Sequence, residues 1–247
     1  MQKVRKFFTL MLFATVIGAC SGSSDDEIFS KADSIEQNNN GTNTNDNDST
    51  KDAGRSDSIA QGDSVLIVYF SRTGYNYNGS TTNLKWTNPG NTAIMASYIQ
   101  EYTHGRLFEI VAATTYPDDY MQTVAQNMEE ERTNARPAIR YPLNVDMSHF
   151  RYVFVGSPVW NSQAPMIMHT FYETYRPQLR GKTMIAFGTH EMSGISGLER
   201  AMRNDLGTDN GNNFLDGLGL IGRTIQSEQS REQVRDWIAR ILPSLKN

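Results

Sequence analysis

Continuous apolar runs alternate with amphipathic segments over residues 65–247 of this sequence. A strand that is buried on both faces of a parallel sheet needs such a run, because helices cover both of its faces. Three runs predict buried strands, at residues 65–70, 152–155 and 184–187. Residues 107–111 include Glu109 and suit an edge strand, and residues 218–225 are the fifth candidate.

Between these runs, apolar residues recur at the 3.6-residue period of a helix, as Val234, Trp237 and Ile241 do near the end of the chain. The predicted helices cover residues 92–102, 118–136, 165–175, 198–202 and 234–245. Strands that alternate with helices indicate right-handed crossovers and a parallel sheet covered on both faces. The sequence therefore predicts a doubly wound α/β domain, in which ligands bind beyond the carboxyl ends of the strands where the strand order reverses.

The helix predicted at residues 118–136 is mostly polar, and its predicted inner edge consists of Met121, Val124 and Met128. The same segment carries an acidic set, which comprises Asp118, Asp119, Glu129, Glu130 and Glu131. A solvated helix face explains this set most simply, since charged residues rarely lie buried without a partner. A surface for a partner protein is the alternative.

The loop after the first strand begins SRTG at residues 71–74 and ends at Asn91 and Thr92, where the next helix begins. Hydroxyl groups and free backbone N–H groups at a helix N-terminus bind a phosphate through hydrogen bonds and the helix dipole, without a cluster of cations. The alternative is that the loop only forms a turn and that Asn91 caps the helix.

The loop after the third strand, GSPVWNSQAP at residues 156–165, carries Trp160 where a globular protein rarely exposes a tryptophan. An indole face can stack on a flat ring system while nearby backbone amides contact the polar edge of that ring. The alternative is a tryptophan that only covers the core. The loop after the fourth strand, GTHEMSG at residues 188–194, is polar and contains two glycines, and alone it indicates only a polar site.

Together the three loops resemble those of the flavodoxin family, in its broad flavodoxin-like branch. VLIVYFSRTG followed by NT is similar to the FMN phosphate loop of that family, and GSPVWNSQAP, MHTFYETY and RGKTMIAF are similar to its second flavin loop, the next helix and the fourth strand. The resemblance covers residues 65–247. It implies a flavodoxin-like three-layer α/β fold with five parallel strands in the order 2-1-3-4-5, and FMN as a noncovalent cofactor.

The resemblance also implies roles for individual residues. Those implied to hold the phosphate are Ser71, Arg72, Thr73, Gly74, Asn91 and Thr92. Those implied to border the isoalloxazine ring are Pro158, Val159, Trp160, Asn161 and Ser162. Those implied to complete the far wall are Thr189, His190, Ser193 and Gly194. No side chain has to act as a catalytic acid or base, because the flavin carries the chemistry and the protein orients it and shifts its potential.

Three features depart from the family pattern. Residues 75–90 separate the two halves of the phosphate loop, which are usually contiguous. Asn161 follows Trp160 where the branch usually has a second tryptophan and a glycine. Glu191 and Met192 stand where glycines are common. A carboxylate that faced the ring would lower the potential of a flavin that becomes anionic on reduction, and the alternative is that Glu191 faces water.

Residues 1–20 follow the pattern of an export signal, with a basic start, a short apolar stretch and small residues before Cys20. The four residues IGAC that end at Cys20 resemble the lipobox of bacterial lipoproteins. This implies a signal peptide at residues 1–19, which is removed, and lipidation of Cys20. An ordinary signal peptide or an uncleaved anchor is the alternative.

Residues 20–64 have almost nothing apolar to bury, and they predict a lipidated, acidic and disordered tether. The folded domain is then expected at residues 65–247. The lipidated cysteine would attach the protein to a membrane. The expected location is therefore outside the cytoplasm, at the periplasmic face or at the cell surface.

Charge is uneven along the chain, whose formal net charge is −4. Residues 65–247 contain equal numbers of basic and acidic side chains, so the domain offers no broad positive surface. Nucleic acid is therefore not an expected partner, since its binding depends on neutralising phosphates. The four histidines are too scattered to predict a metal site. GLGLIG at residues 217–222 is expected to be strand rather than a dinucleotide-binding turn.

The sequence thus predicts an FMN-binding, flavodoxin-like lipoprotein that transfers electrons between an unidentified donor and an unidentified acceptor. An FMN-dependent reductase of quinones or flavins that uses NAD(P)H is one alternative, so the sequence leaves enzymatic activity open. A binding or assembly module without a redox role is the other alternative, because a chain that is exported unfolded must find FMN outside the cytoplasm.

Overall fold

The structure, a computed structural model, describes residues 64–243. The predicted signal peptide, the predicted lipidation site Cys20 and residues 20–63 of the predicted tether lie outside the described residues. Within residues 64–243, no helix combines the length and the apolar character that crossing a membrane requires.

Seven strands occur in the described part of the chain. They are β1 (Val65–Phe70), β2 (Gly74–Ser80), β3 (Asn83–Thr87), β4 (Arg106–Ile110), β5 (Tyr152–Pro158), β6 (Thr183–His190) and β7 (Asn213–Ile221). Five of them form a parallel sheet in the spatial order β4-β1-β5-β6-β7. Counted within this sheet alone, that order is 2-1-3-4-5, so the predicted flavodoxin-like α/β fold is confirmed.

Helices cover both faces of the sheet. The α-helices of the described residues are α1 (Asn91–Thr103), α2 (Tyr120–Thr133), α3 (Met166–Tyr175), α4 (Ser196–Leu206) and α5 (Glu228–Ile241). On one face, α1 and α5 pack through Met95, Ile99 and Trp237. On the other face, α3 and α4 pack through Phe171 and Leu198. The inner strands are buried between these two layers, which explains their continuous apolar sequences.

The last strand of the sheet begins earlier than the sequence predicts. The predicted bounds of residues 218–225 are wrong, because β7 begins at Asn213 and Gly222–Thr224 form a short 3-10 helix. Most residues of β7 are only half-buried, since it is an edge strand. Polar residues such as Asp216 therefore interrupt the apolar run that marks the inner strands. The expectation that GLGLIG is strand holds up to Ile221.

The insertion at residues 75–90 contains most of an antiparallel hairpin formed by β2 and β3. This hairpin is separate from the five-stranded sheet. Tyr75 lies opposite Trp86, and the two rings meet edge to face with their centroids 5.3 Å apart. The backbone N–H of Tyr75 donates to the carbonyl oxygen of Asp118 at 2.9 Å. The insertion is therefore an ordered structure that is attached to the segment before α2.

Helix α2 turns a polar face inward, contrary to the prediction. Met121 and Met128 of the predicted inner edge are 56% and 60% exposed, whereas Thr123, Asn127 and Glu130 are buried. The prediction is wrong because an apolar inner edge presupposes an apolar neighbour, and α2 packs instead beside β2 and along an open cavity. The interpretation of the acidic set as a solvated face also fails for Glu130.

Candidate functional site

The carboxyl ends of β1, β5 and β6 meet at one edge of the sheet, and the strand order reverses between β1 and β5. The three loops that follow these strands enclose an open cavity of about 600 Å³. Sites for cofactors and small molecules typically measure about 300 to 1,000 Å³. The hairpin lines one side of this cavity through Asn76 and Tyr77 and does not fill it. The predicted crevice is therefore present and open.

Most of the residues predicted for the site line this cavity. They are Ser71, Arg72, Asn91, Thr92, Pro158, Val159, Trp160, Asn161, Ser162, Thr189, His190 and Ser193.

Three predicted residues do not line the cavity, and they are corrections to the predicted site. The chain turns away at Thr73 and Gly74, because the hairpin begins there, and Thr73 borders a separate small depression next to Glu109. Gly194 has a φ of 66° and lies where the loop after β6 turns towards α4.

The predicted site omits a second group of lining residues, which come from the hairpin, α2 and the segments after β6 and β7. They are Asn76, Tyr77, Tyr120, Thr123, Val124, Asn127, Met128, Glu191, Met192 and Gly222. One signal for the α2 wall is present in the sequence. Thr123, Asn127 and Glu131 recur at positions i, i+4 and i+8, which puts three polar residues on one face of a helix.

Helix α1 presents its N-terminus to the cavity. Its N-cap is Gly90, which lies so close to the preceding loop that a Cβ on it would overlap Ser71 Oγ. The two halves of the loop, which the hairpin separates in sequence, thus meet in space. Ser71 Oγ accepts a hydrogen bond from the N–H of Ala93 at 3.1 Å. Asn91 and Thr92 carry the first N–H groups of the helix, which have no partners within it, so this end of α1 suits an anion.

The guanidinium group of Arg72 is buried and is engaged by the protein itself. Its Nη1 donates to the carbonyl oxygens of Thr73 at 3.0 Å and Pro117 at 2.9 Å, and its Nη2 donates to the carbonyl oxygen of Tyr75. Burial lowers the pKa of Arg72, and the charge of Asp118 opposes this effect. Arg72 therefore clamps the hairpin to the segment before α2, and its guanidinium group has a structural role beside the cavity that it lines.

Trp160 stands on the cavity wall with aromatic rings beside it. The rings of Phe70 and Tyr116 meet the indole edge to face, with centroid distances of 5.6 Å and 5.1 Å. The hydroxyl of Tyr116 donates to Glu130 Oε2 at 2.9 Å, and burial raises the pKa of Tyr116, so this group stays protonated. The indole is therefore held in one orientation by contacts on the protein side.

The second loop owes its shape to a two-residue turn at Asn161 and Ser162. Trp160 and Gln163 exchange two backbone hydrogen bonds of 3.1 Å and 2.8 Å, and the two turn residues have φ values of 47° and 62°. Positive φ at both central residues is typical of a type I′ turn, in which asparagine is favoured. The side chain of Asn161 also donates to Glu131 Oε2 at 2.8 Å. The asparagine that departs from the family pattern therefore shapes this loop and ties it to α2.

Thr189 and His190 end β6 at the cavity. Thr189 is buried, and its Oγ1 lies 2.8 Å from Thr92 Oγ1, which joins the end of β6 to the start of α1. The Nδ1 of His190 is buried and has no hydrogen-bond partner among the described residues. Burial lowers the pKa of His190, although the charge of Glu191 opposes this effect. The imidazole is therefore neutral at pH 7, and one of its polar atoms is left for a ligand.

Glu191 lines the cavity as half of an ion pair. Its Oε1 accepts a hydrogen bond from the backbone N–H of Arg223 at 3.0 Å, and its Oε2 pairs with the guanidinium group of Arg223. A Cβ on Gly222 would lie 2.8 Å from Asn91 Nδ2 and 3.1 Å from Glu191 Oε1, so the segment after β7 approaches both residues closely. The carboxylate of Glu191 is therefore paired with Arg223, which balances its charge.

Comparison with known proteins identifies the architecture. The profile of a flavodoxin family matches residues 84–241, which is more than half of the chain. The chain belongs to the flavodoxin family. The flavodoxin-like domain and the FMN cofactor that the sequence predicts are thereby confirmed. No curated protein matches this chain.

Solved structures resemble this chain over most of their own length. A Bacteroides eggerthii protein assigned as a flavoprotein is 25% identical with a TM-score of 0.53, covering 72% of this chain and 97% of its own. A Bacteroides uniformis protein assigned as a flavoprotein is 27% identical with a TM-score of 0.51, covering 72% and 98%. A flavoprotein from Lactobacillus acidophilus in complex with FMN is 19% identical with a TM-score of 0.48, covering 64% and 93%.

The residues around the cavity fit FMN. The N-terminus of α1 suits a phosphate group, and the face of Trp160 suits a flat ring. The unpartnered Nδ1 of His190 suits a polar atom of a ligand. Gly90 contacts the loop that follows β1, so this loop stays next to the N-terminus of α1 although the hairpin is inserted between them in sequence.

Proposed function

We propose that this protein binds FMN in the cavity described above and transfers electrons between a donor and an acceptor, as a lipid-anchored protein outside the cytoplasm. The observation that carries the proposal is that the N-terminus of α1, Trp160 and the end of β6 converge on one open cavity. FMN supplies one-electron and two-electron chemistry when it is bound. The protein binds the cofactor, orients it and limits its access to water.

Ser71, Asn91 and Thr92 are the residues proposed to hold the phosphate, because they lie at the N-terminus of α1. Trp160 is proposed to stack on the ring, and His190 is proposed to meet one of its polar atoms. Arg72 is proposed to support these groups indirectly, because it joins the hairpin at Tyr75 to Pro117 in the segment before α2. The ion pair of Glu191 with Arg223 keeps a net negative charge away from a cofactor that becomes anionic on reduction.

The open cavity favours a flavin carrier over an assembly module without a redox role. The space between the N-terminus of α1 and Trp160 stays open, whereas a module without a cofactor has no need of it. The FMN-dependent NAD(P)H reductase is the second candidate. It is favoured by the extension of the cavity beyond the three loops to Tyr77 and Tyr120, which gives room for a second ligand.

Titration of the purified protein with FMN tests the proposal. We expect quenching of FMN fluorescence at micromolar concentration and a yellow protein after removal of free cofactor. Reduction of the loaded protein by NADPH, followed by repeated turnover with a quinone, would select the reductase candidate over the carrier. A colourless protein that leaves FMN fluorescence unchanged at micromolar concentration would overturn the proposal in favour of the module.

The membrane anchor is proposed from the signal pattern that ends at Cys20. Lipidation at this residue predicts incorporation of labelled palmitate into the protein in bacterial cells. Cys20→Ala should abolish the label, because alanine offers no thiol for the diacylglyceryl group. A wild-type protein without label, or a variant that retains it, would contradict the anchor and leave the cofactor proposal intact.

A further inference from the structure

The outer face of α2 carries exposed apolar residues that the cavity does not use. Met121 and Met128 are 56% and 60% exposed, and Ala125, which lies between them, is also exposed. Met121 and Ala125 do not line the cavity, whereas Met128 lies at its boundary. We call these three residues the α2 stripe. Exposed apolar side chains that are grouped on one face, rather than scattered singly, mark a surface for association.

The α2 stripe has the spacing of a seam between packed helices. Its members follow one another by four and then three residues, the steps with which coiled coils bring one edge of a helix against another. The small side chain of Ala125 at its middle lets a second helix approach closely, and the methionines adapt to the surface that they meet. The exposure of all three residues shows that no other element of residues 64–243 covers this seam.

Opposite charges lie at the two ends of the α2 stripe. Asp118 and Asp119 directly precede the helix, and neither forms an ion pair within residues 64–243. Arg132 lies in the last turn, where the helical repeat puts it in line with the stripe. Its pairing with Glu129, which lies to one side, leaves the two side chains 70% and 59% exposed, and exposed pairs of this kind are weak.

The α2 stripe is complementary to itself when a second copy of the chain packs antiparallel to it. A two-fold axis beside Ala125 brings Met121 to Met128 of the second copy. The same axis brings Asp118 to Arg132 of the second copy, whereas parallel packing would bring like charges together at both ends. Two-fold dimers are also the commonest symmetric assemblies of soluble proteins. The charges therefore favour a second copy in antiparallel orientation as the occupant of this face.

We propose that this protein forms a two-fold dimer in which the α2 stripes of two copies pack against each other. The axis is perpendicular to both helices and to the line between them, so the two cavities lie on the same side of the helix pair. Because Met128 belongs both to the stripe and to the cavity wall, each copy borders the mouth of the other copy's cavity.

The length of α2 predicts how strong this dimer is. The helix has 14 residues and is therefore about 21 Å long. Stable interfaces bury about 1,200 to 2,000 Å² in total, and two helices of this length alone bury less. The dimer is therefore expected to dissociate on dilution. It does not depend on bound FMN, because every residue of the contact belongs to the protein.

Disulfide cross-linking of the purified full chain tests the contact at the axis. The chain has one cysteine, so Cys20→Ala leaves an introduced thiol as the only one. Ala125→Cys on this background should give a product of twice the mass on mild oxidation, since the two thiols meet at the axis, and its yield should fall on dilution. Gln233→Cys, at an exposed position of α5, is the matched control and should remain monomeric.

Two further variants of the Ala125→Cys protein test the packing and the charges. Met121→Asp, which changes no residue of the cavity, should abolish the cross-link by putting a charge into the seam. Arg132→Glu should lower the yield at least about threefold, because it puts a carboxylate opposite Asp118 at both ends of the dimer. Arg132→Lys should retain the yield. The side chain of Arg132 is exposed, so neither change at this position disturbs the fold.

Each of these measurements can overturn the dimer. Equal yields from Ala125→Cys and Gln233→Cys, or no product from either, would show that the α2 stripe does not meet itself. A full yield after Arg132→Glu would contradict the antiparallel pairing of charges, and with it the choice of a second copy. Circular dichroism of each variant separates a lost contact from a lost fold, and Arg132→Glu decides the question if Met121→Asp does not fold.

Discussion

Gly90 and Ser71 are in direct contact across the base of the hairpin. The φ of Gly90 is −67°, a value that any residue adopts, so glycine is required here by the contact and not by the backbone conformation. A Cβ at this position would overlap Ser71 Oγ, which accepts the N–H of Ala93 in the first turn of α1. The spacing between loop and helix is therefore set by the absence of a single methyl group.

Gly90→Ala should weaken the binding of FMN more than that of riboflavin. The methyl group separates Ser71 from α1, where the phosphate is proposed to bind, and riboflavin has no phosphate. We expect a loss of at least about tenfold for FMN, about 1.4 kcal/mol, measured by fluorescence quenching. Thr81→Ala in the turn of the hairpin, at an exposed side chain that does not line the cavity, should leave both affinities unchanged. Equal losses for the two flavins would place the phosphate elsewhere.

Arg72→Lys should destabilise the fold without changing the preference for FMN over riboflavin. A lysine cannot reproduce the planar set of donors that reaches Thr73, Tyr75 and Pro117. The free energy of unfolding, measured in urea, should fall by about 1 to 3 kcal/mol, as is usual when a buried hydrogen-bond network is broken. A selective loss of FMN affinity with unchanged stability would restore Arg72 as a phosphate ligand.

Trp160→Ala should weaken FMN and riboflavin equally, because the indole is proposed to contact the ring that both share. Stacking of a base on an aromatic side chain contributes about 1 to 3 kcal/mol, and we expect a loss of the same order. Trp86→Ala is the matched control, since Trp86 lies on the hairpin, is 47% exposed and does not line the cavity. An unchanged affinity in Trp160→Ala would mean that the ring lies elsewhere.

His190 should make the stability of the protein fall as the pH is lowered. Burial lowers the pKa of this imidazole in the folded state, whereas in the unfolded chain it titrates at about 6.5. Below that pH the unfolded chain binds a proton that the folded protein does not, so its contribution to stability is present above pH 6.5 and is lost on acidification through the folded pKa.

Urea unfolding at pH 7.5 and pH 5.0 measures this effect. The decrease in the free energy of unfolding between the two values should be smaller in His190→Gln than in the wild-type protein. His104→Gln, at an exposed histidine that follows α1, should show the wild-type decrease. A decrease of the same size in all three proteins would exclude His190 as its source.

The inner strands and the position of the site could be predicted from sequence, because both follow from simple rules. Strands such as Val65–Phe70 are buried on both faces and must be continuously apolar, and parallel strands bring their carboxyl ends to one edge. The predicted bounds of the edge strand β7 were wrong, because half-buried residues leave a weaker apolar pattern in the sequence. The fold was therefore most predictable where burial is most complete.

The buried polar residues of α2 could not be predicted from sequence. Their burial depends on hydrogen-bond partners that lie elsewhere in the chain. Asn127 and Glu130 are buried on α2, where apolar periodicity favours Met121 and Met128, which are exposed. Arg72 has the sequence position of a phosphate ligand, yet its donors reach carbonyl groups of a distant segment. Such pairings depend on where separate elements meet, and no local pattern records them.

The contact between Gly90 and Ser71 also brings the two ends of the hairpin together at one point. Because its two ends return to a single point, the tip of the hairpin can be lengthened or exchanged without moving Ser71 away from α1. Natural variation and engineering can therefore change the entrance to the cavity while the contact between Ser71 and the start of α1 stays the same.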